Sequence, residues 1–125
     1  MNWEMLRLAA DHIENDPNAF DMEIFGFRRG CGAVGCVAGH IVWANDPHEF
    51  MGLIIDDEDG MNRIEPRAYE LLGICDMKGY HLFYGGSFSL GVFNRNKAKV
   101  PDALRWMVDN QRIDWPAAAK AVGFE

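Results

Sequence analysis

The reading of the fold turns on Gly30-Cys31-Gly32-Ala33-Val34-Gly35-Cys36-Val37-Ala38-Gly39-His40-Ile41-Val42-Trp43-Ala44. Its second half, from Cys36 onward, is apolar nearly all round and contains no Asp, Glu, Lys or Arg. A helix of that composition has to be buried, because it has no polar face to offer to water. The first half is rich in glycine and reads as a loop or turn leading into the helix. The protein is therefore expected to be built around a short central helix that begins at Cys36.

The flanking segments read as helices that cover this centre. Upstream, Trp3, Leu6, Ala10 and Ile13 recur at three and four residues, with Glu4, Arg7, Asp11 and Glu14 on the opposite side. Asn2 is placed to cap that helix, and Asn15-Asp16-Pro17-Asn18 to stop it. Phe20 to Phe25 alternates apolar and acidic residues and predicts a short strand. Downstream, Asp46-Pro47-His48-Glu49 combines a cap, a proline in the first turn and a returning glutamate. A helix starting at Glu65-Pro66 should turn Ala68, Leu71 and Leu72 inward and end at Gly73. Between Asp76 and Asn96, four glycines (Gly79, Gly85, Gly86, Gly91) interrupt the aromatic runs, which predicts a hairpin or a loop-rich cap. Pro101 to Gln111 should bury Leu104, Met107 and Val108. A last helix, capped by Asp114 with Pro116 in its first turn, should end at Gly123. The expected fold is mainly α: a single compact domain over residues 1–125 with about five short helices. A small β-hairpin would make it α+β.

Composition narrows the function classes. The chain has 125 residues, of which 49% are hydrophobic and 12% aromatic, enough for a core without staples. Twelve Lys and Arg against nineteen Asp and Glu give a net charge of -7. That balance argues against general nucleic-acid binding and against anionic membranes, both of which select a positive surface. The uncharged stretch Cys31 to Ala44 is too short to span a bilayer, which takes about twenty residues. Asn2-Trp3-Glu4-Met5 is unlike a secretory signal. Three cysteines is an odd number, so the expected setting is a reducing cytoplasm, with no disulfide framework.

Several residue groups are candidates for chemistry. Gly30 to Gly35 spells G-x-G-x-x-G, and Asp56 follows about twenty residues later, as in a dinucleotide fingerprint. Arg28-Arg29 separates the expected strand from the first glycine, and the Asp46-Pro47 helix intervenes, so the milder reading is anion binding. Arg28 and Arg29 would then act with backbone N–H groups at Gly32 and Gly35. Cys36, at a helix start, is the candidate nucleophile, with His81, His40 or His48 as a base. Cys31, Cys36, His40 and Cys75 are the candidate metal ligands, but their spacing matches no standard zinc site, so no metal and no cofactor are expected. Asp56 to Gly60 imitates half a calcium loop, yet Ile55 and Pro66 fall where oxygen ligands are required. Arg95, Lys97 and Lys99 read as a solvated strip, because no aromatic ladder accompanies them. Tyr80, Tyr84 and Phe88 would serve as interface anchors, and Asp56 and Asp57 would steer a basic partner. The opposing reading has these aromatics completing the core and the acids keeping the chain soluble.

Phe20-Asp21-Met22 followed by Cys31-Gly32-Ala33-Val34-Gly35-Cys36-Val37-Ala38-Gly39-His40 resembles a signature of short bacterial and phage proteins, Cys-Gly-Thr-x-x-Cys-Ile-Ala-Gly-Trp/His. Leu71 to Ile74 with Leu82-Phe83, and Val100 to Met107 through Ile113-Asp114-Trp115, are similar to that family's middle and closing segments. Ala33 departs from the pattern, since threonine is usual there. The resemblance implies that His40 is not an obligatory ligand or base, because the family accepts tryptophan at its position. It further implies a phage or mobile-element accessory protein. The expected function is thus a small non-enzymatic cytoplasmic module that binds a protein partner, with a host protein as the partner the resemblance implies. The alternatives are a cysteine-dependent enzyme using Cys36, and a nucleotide or anion binder at Gly30–Gly35.

Overall fold

The computed structural model describes residues 1–22, 27–29, 32–54, 61–74, 76–85 and 88–125. Among them the chain forms eight α-helices, more than the five expected, and one two-stranded antiparallel pair. The mainly helical character read from the sequence holds.

The first helix, α1 (Trp3–Asn15), is capped as expected: the Asn2 side chain accepts the Met5 N–H at 3.3 Å. It buries Met5, Leu6, Ala9, Ala10 and Ile13, while Trp3 stays half-buried at the edge of the stripe. A 3-10 turn, Pro17–Ala19, follows the stop signal. The strands β1 (Phe27–Arg29) and β2 (Gly32–Val34) pair in register, with Phe27 opposite Val34 and Arg29 opposite Gly32. The glycine-rich segment, expected as loop, therefore supplies a strand. Gly35 then pairs in parallel with Phe20, its N–H donating to the Ala19 carbonyl at 2.9 Å.

Helix α2 (Val37–Asn45) is the expected buried helix, with every residue from Val37 to Val42 inside. It packs against α1, α3 (Pro47–Ile54) and α4 (Met61–Leu72). Asp46 starts α3, its carboxylate accepting the N–H groups of His48 and Glu49 at 3.0 and 3.2 Å. Helix α4 begins four residues ahead of the predicted Glu65-Pro66 start, so Pro66 lies inside it. It does end at Gly73, whose φ of 64° is the left-handed conformation that glycine adopts freely.

The largest correction concerns residues 76–95. The hairpin or loop-rich cap expected there is instead two helices, α5 (Asp76–Tyr84) and α6 (Leu90–Arg95). Gly79, a breaker by sequence, sits inside α5, where a Cβ would fall 1.7 Å from Cε1 of Tyr69. Glycine is there because α5 and α4 approach closely, and tertiary packing overrides its poor helix propensity. Gly85 does break the chain, with φ at 80°.

Helices α7 (Val100–Asn110) and α8 (Trp115–Val122) close the fold. The Asp114 carboxylate caps α8 by accepting the Ala117 N–H at 3.0 Å, and Gly123 ends it. Leu104 and Met107 are buried as predicted, while Val108 is only half-buried. One hydrophobic cluster takes side chains from all eight helices. No helix among the described residues is long and apolar enough to cross a membrane.

Candidate functional site

Two places in the fold bring chemistry-bearing side chains together, and of their residues only His40 is a candidate by sequence. The first lies between α1 and α2. His40, fully buried on α2, meets His12 of α1 with their Nδ1 atoms 2.8 Å apart. Its other ring nitrogen, Nε2, lies 2.9 Å from the Ala19 carbonyl. Trp43, one turn further along α2, stacks on His40 (centroids 5.3 Å, planes 27° apart), is tilted against His12 at 4.7 Å, and lies parallel to Phe50 of α3 at 4.6 Å. Burial pushes the His40 imidazole down to about 4. Burial also lowers His12, against the opposing pull of Asp16.

The second is a cleft of about 250 Å³ lined by Met1 and Trp3 at the start of α1 and by Gln111, Arg112 and Ile113 between α7 and α8. The Arg112 guanidinium lies over the Trp106 ring, 5.2 Å from its centroid, and its Nε is 3.4 Å from the Asp114 carboxylate. Trp3, Trp106 and Ile113 are all half-buried, and Met1 is 38% exposed. The αL conformation of Gln111 (φ 50°) ends α7 and turns this segment toward the N-terminal end of α1.

The residues expected to carry function are placed as follows. Cys36 stands at the start of α2, as read, but is 1% exposed. Burial pushes its thiol up to about 11, although the backbone N–H groups of Gly39 and Ala38 pull the other way. At neutral pH it is a protonated thiol, the opposite of an activated nucleophile. His81 lies on an exposed part of α5. The nitrogens of His40 face His12 and Ala19, and no group of three or more His, Cys, Asp or Glu able to hold an ion occurs among the described residues. Cys31 and Cys75, the other candidate ligands, lie outside the described residues, as do Gly30, Asp56 and Asp57.

Arg28 and Arg29 are in β1 and Gly32 in β2, so the expected anion loop has strand geometry on both sides. The Gly35 N–H is taken by Ala19 and is not a free anion donor. Of the aromatic anchors, Tyr84 is half-buried and donates its hydroxyl to Glu65 at 3.0 Å. Phe88 is half-buried between Phe93 and Phe124 (centroids 5.9 and 6.5 Å), and the Tyr80 side chain lies outside the described part. Comparison with protein-family models, with curated proteins and with solved structures finds no match.

A thiol this deeply buried makes a direct expectation. In a Cys31→Ser/Cys75→Ser variant, Cys36 should react with a thiol reagent at pH 8 at least about a hundredfold more slowly in the native protein than in denaturant, from the fall in thiolate fraction alone. Native labelling at the unfolded rate would show that the sulfur is accessible and ionised.

Proposed function

We propose that the protein is a non-enzymatic module that binds a protein partner, using the cleft between the start of α1 and the α7–α8 junction. The observation that carries this reading is the grouping of Trp3 and Ile113 beside the Arg112–Trp106 stack at a concave surface. Tryptophan and arginine are the residue types that most often dominate binding energy, and a half-buried ring gives large contact area for little lost freedom. The net charge of -7 favours a partner with a basic surface. The resemblance to short bacterial and phage proteins adds a setting, a cytoplasmic accessory protein that acts on a host component.

The cysteine-enzyme alternative is disfavoured by the raised thiol of Cys36, and the anion-loop alternative by the bonded amide of Gly35. To test the reading, proteins captured from a lysate are identified, the candidate is purified, and its affinity is measured by calorimetry. Trp3→Ala and Arg112→Ala, each checked for an unchanged melting temperature, should weaken binding about tenfold or more, the loss of a hot spot. Tyr84→Ala and Phe88→Ala test the other placement of the interface. Loss of affinity in that second pair alone would move the site. Hydrolysis of an ester or amide probe that disappears in Cys36→Ala would replace binding with catalysis.

A further inference from the structure

The hydrogens between α1 and α2 can be assigned from their partners. The Ala19 carbonyl can only accept; it takes the Gly35 N–H and faces His40 Nε2, both at 2.9 Å, so Nε2 carries a hydrogen. A neutral imidazole has one donor and one acceptor, which leaves His40 Nδ1 as a lone pair. At 2.8 Å from it, His12 Nδ1 must therefore be the donor. The remaining nitrogen, His12 Nε2, is an unprotonated lone pair with no partner among the described residues. No buried side-chain nitrogen among the described residues lacks one, so this edge of the ring opens to solvent.

The two protons that the pair can gain are not equivalent. A first proton goes to His12 Nε2, and His12 Nδ1–H goes on donating to His40, now with charge assistance. A second has to go to His40 Nδ1, where the His12 hydrogen already points. Two N–H groups on two cations would then face each other across the contact, and it must open. We propose that His12 and His40 form an acid-operated latch between α1 and α2, which tolerates one proton and releases on the second.

Besides Ala19, the Gly35 backbone favours a proton on His40, and no charged side chain among the described residues pairs with either ring. On α1, Asp16 favours the proton on His12, whereas Asp11 and Glu14 are held by Arg105 of α7. Helix α2 has no charged side chain from Val37 to Asn45, and neither has the turn Pro17–Ala19. Asp21 accepts from Asn94 of α6, and Glu65 of α4 acts on Cys36 rather than on the ring. From α3 the pair meets the Phe50–Trp43 stack, while Glu49 is paired with Arg67. Burial holds His40 at about 4 and His12 below its usual range, and a charged His12 pushes His40 further down. The unfolded imidazoles titrate near 6.5. Above that pH the latch adds no pH dependence; as pH falls from about 6.5 towards 4 the unfolded chain binds more protons, and the fold loses stability.

Long-range ¹H–¹⁵N NMR of the imidazoles between pH 7.5 and 3.5, together with exchange of the Gly35 amide, tests the proposal. At pH 7.5 His40 should carry hydrogen only on Nε2 and His12 only on Nδ1. On acidification His12 Nε2 should titrate first, with Gly35 still protected. His40 should follow at lower pH, with Gly35 exchange speeding up about tenfold or more as the joint opens. His12→Asn should raise the pH at which His40 titrates. A hydrogen on His40 Nδ1 at neutral pH, simultaneous titration of both rings, or loss of Gly35 protection at the first step would overturn the latch. If the second step coincides with global unfolding, urea midpoints decide. The midpoint should fall between pH 6.5 and 4 more steeply in the native sequence than in His40→Gln, whose amide keeps both a donor and an acceptor. Equal slopes would refute the proposal.

Discussion

Replacing Trp115 with alanine is expected to destabilise the protein by about 3–5 kcal/mol, the range for removing a large buried aromatic. Trp115 opens α8 and is 2% exposed. Its ring meets Phe93 of α6 edge-on, with centroids 4.6 Å apart. Its indole Nε1–H donates to the Leu82 carbonyl of α5 at 2.9 Å. One side chain thus ties three helices, and truncation leaves both a cavity and a buried carbonyl without its donor. Trp115→Phe separates these contributions, since it keeps much of the apolar contact and deletes only the indole donor and one ring. It should recover part of the loss but remain about 1–3 kcal/mol below the native protein, the effect of an unpaired buried polar group. Urea unfolding monitored by circular dichroism measures both variants. A Trp115→Ala midpoint close to native would mean that α8 contributes little to the cooperative core.

Gly85→Ala should be comparably damaging, at about 2–6 kcal/mol, although it adds only a methyl group. Two causes combine. At φ 80° an alanine is held in the left-handed region, a strain of about 1–3 kcal/mol. Its Cβ would also lie 2.4 Å from Cε2 of Phe93, which is fully buried and cannot swing away because Trp115 lies against it. Overpacking of this kind adds about 1–3 kcal/mol. The double variant Gly85→Ala/Phe93→Leu distinguishes the two, because the smaller side chain relieves the clash but not the backbone strain. The two substitutions should therefore cost less together than the sum of their separate effects. Strict additivity would mean that only the backbone term operates.

This region shows where sequence reading succeeds and where it stops. Gly85 as a break is legible, since glycine is the residue that tolerates its backbone angle. Gly79 is the same letter six positions earlier, yet it marks the close approach of α5 to the Tyr69 ring of α4. No local pattern separates the two, and that ambiguity turned two helices into an expected hairpin. Similarly, Cys36 is correctly placed at a helix start, where a dipole would lower its thiol, but burial is the larger effect and raises it. Tyr80, Tyr84 and Phe88 are the interface candidates by sequence, because aromatics next to glycines suggest exposed loops. Tyr84 and Phe88 pack instead onto Glu65, Phe93 and Phe124, while Trp3 and Ile113, far apart in the chain, share a cleft.

From the sequence alone follow the buried central helix, the caps at Asn2, Asp46 and Asp114, the stops at Gly73 and Gly123, and the mainly helical class. Each depends on residues within one or two turns, where a missing polar face, a carboxylate facing free N–H groups or a left-handed angle acts locally. Tertiary structure alone decided which glycine bends the chain and which admits a neighbour. It also paired His12 with His40, 28 positions apart, and placed both beneath Trp43. A hydrogen bond or a ring contact of that kind is set by how α1 and α2 cross. The crossing is fixed by the whole core, and neither histidine carries a local mark of the partner it will meet.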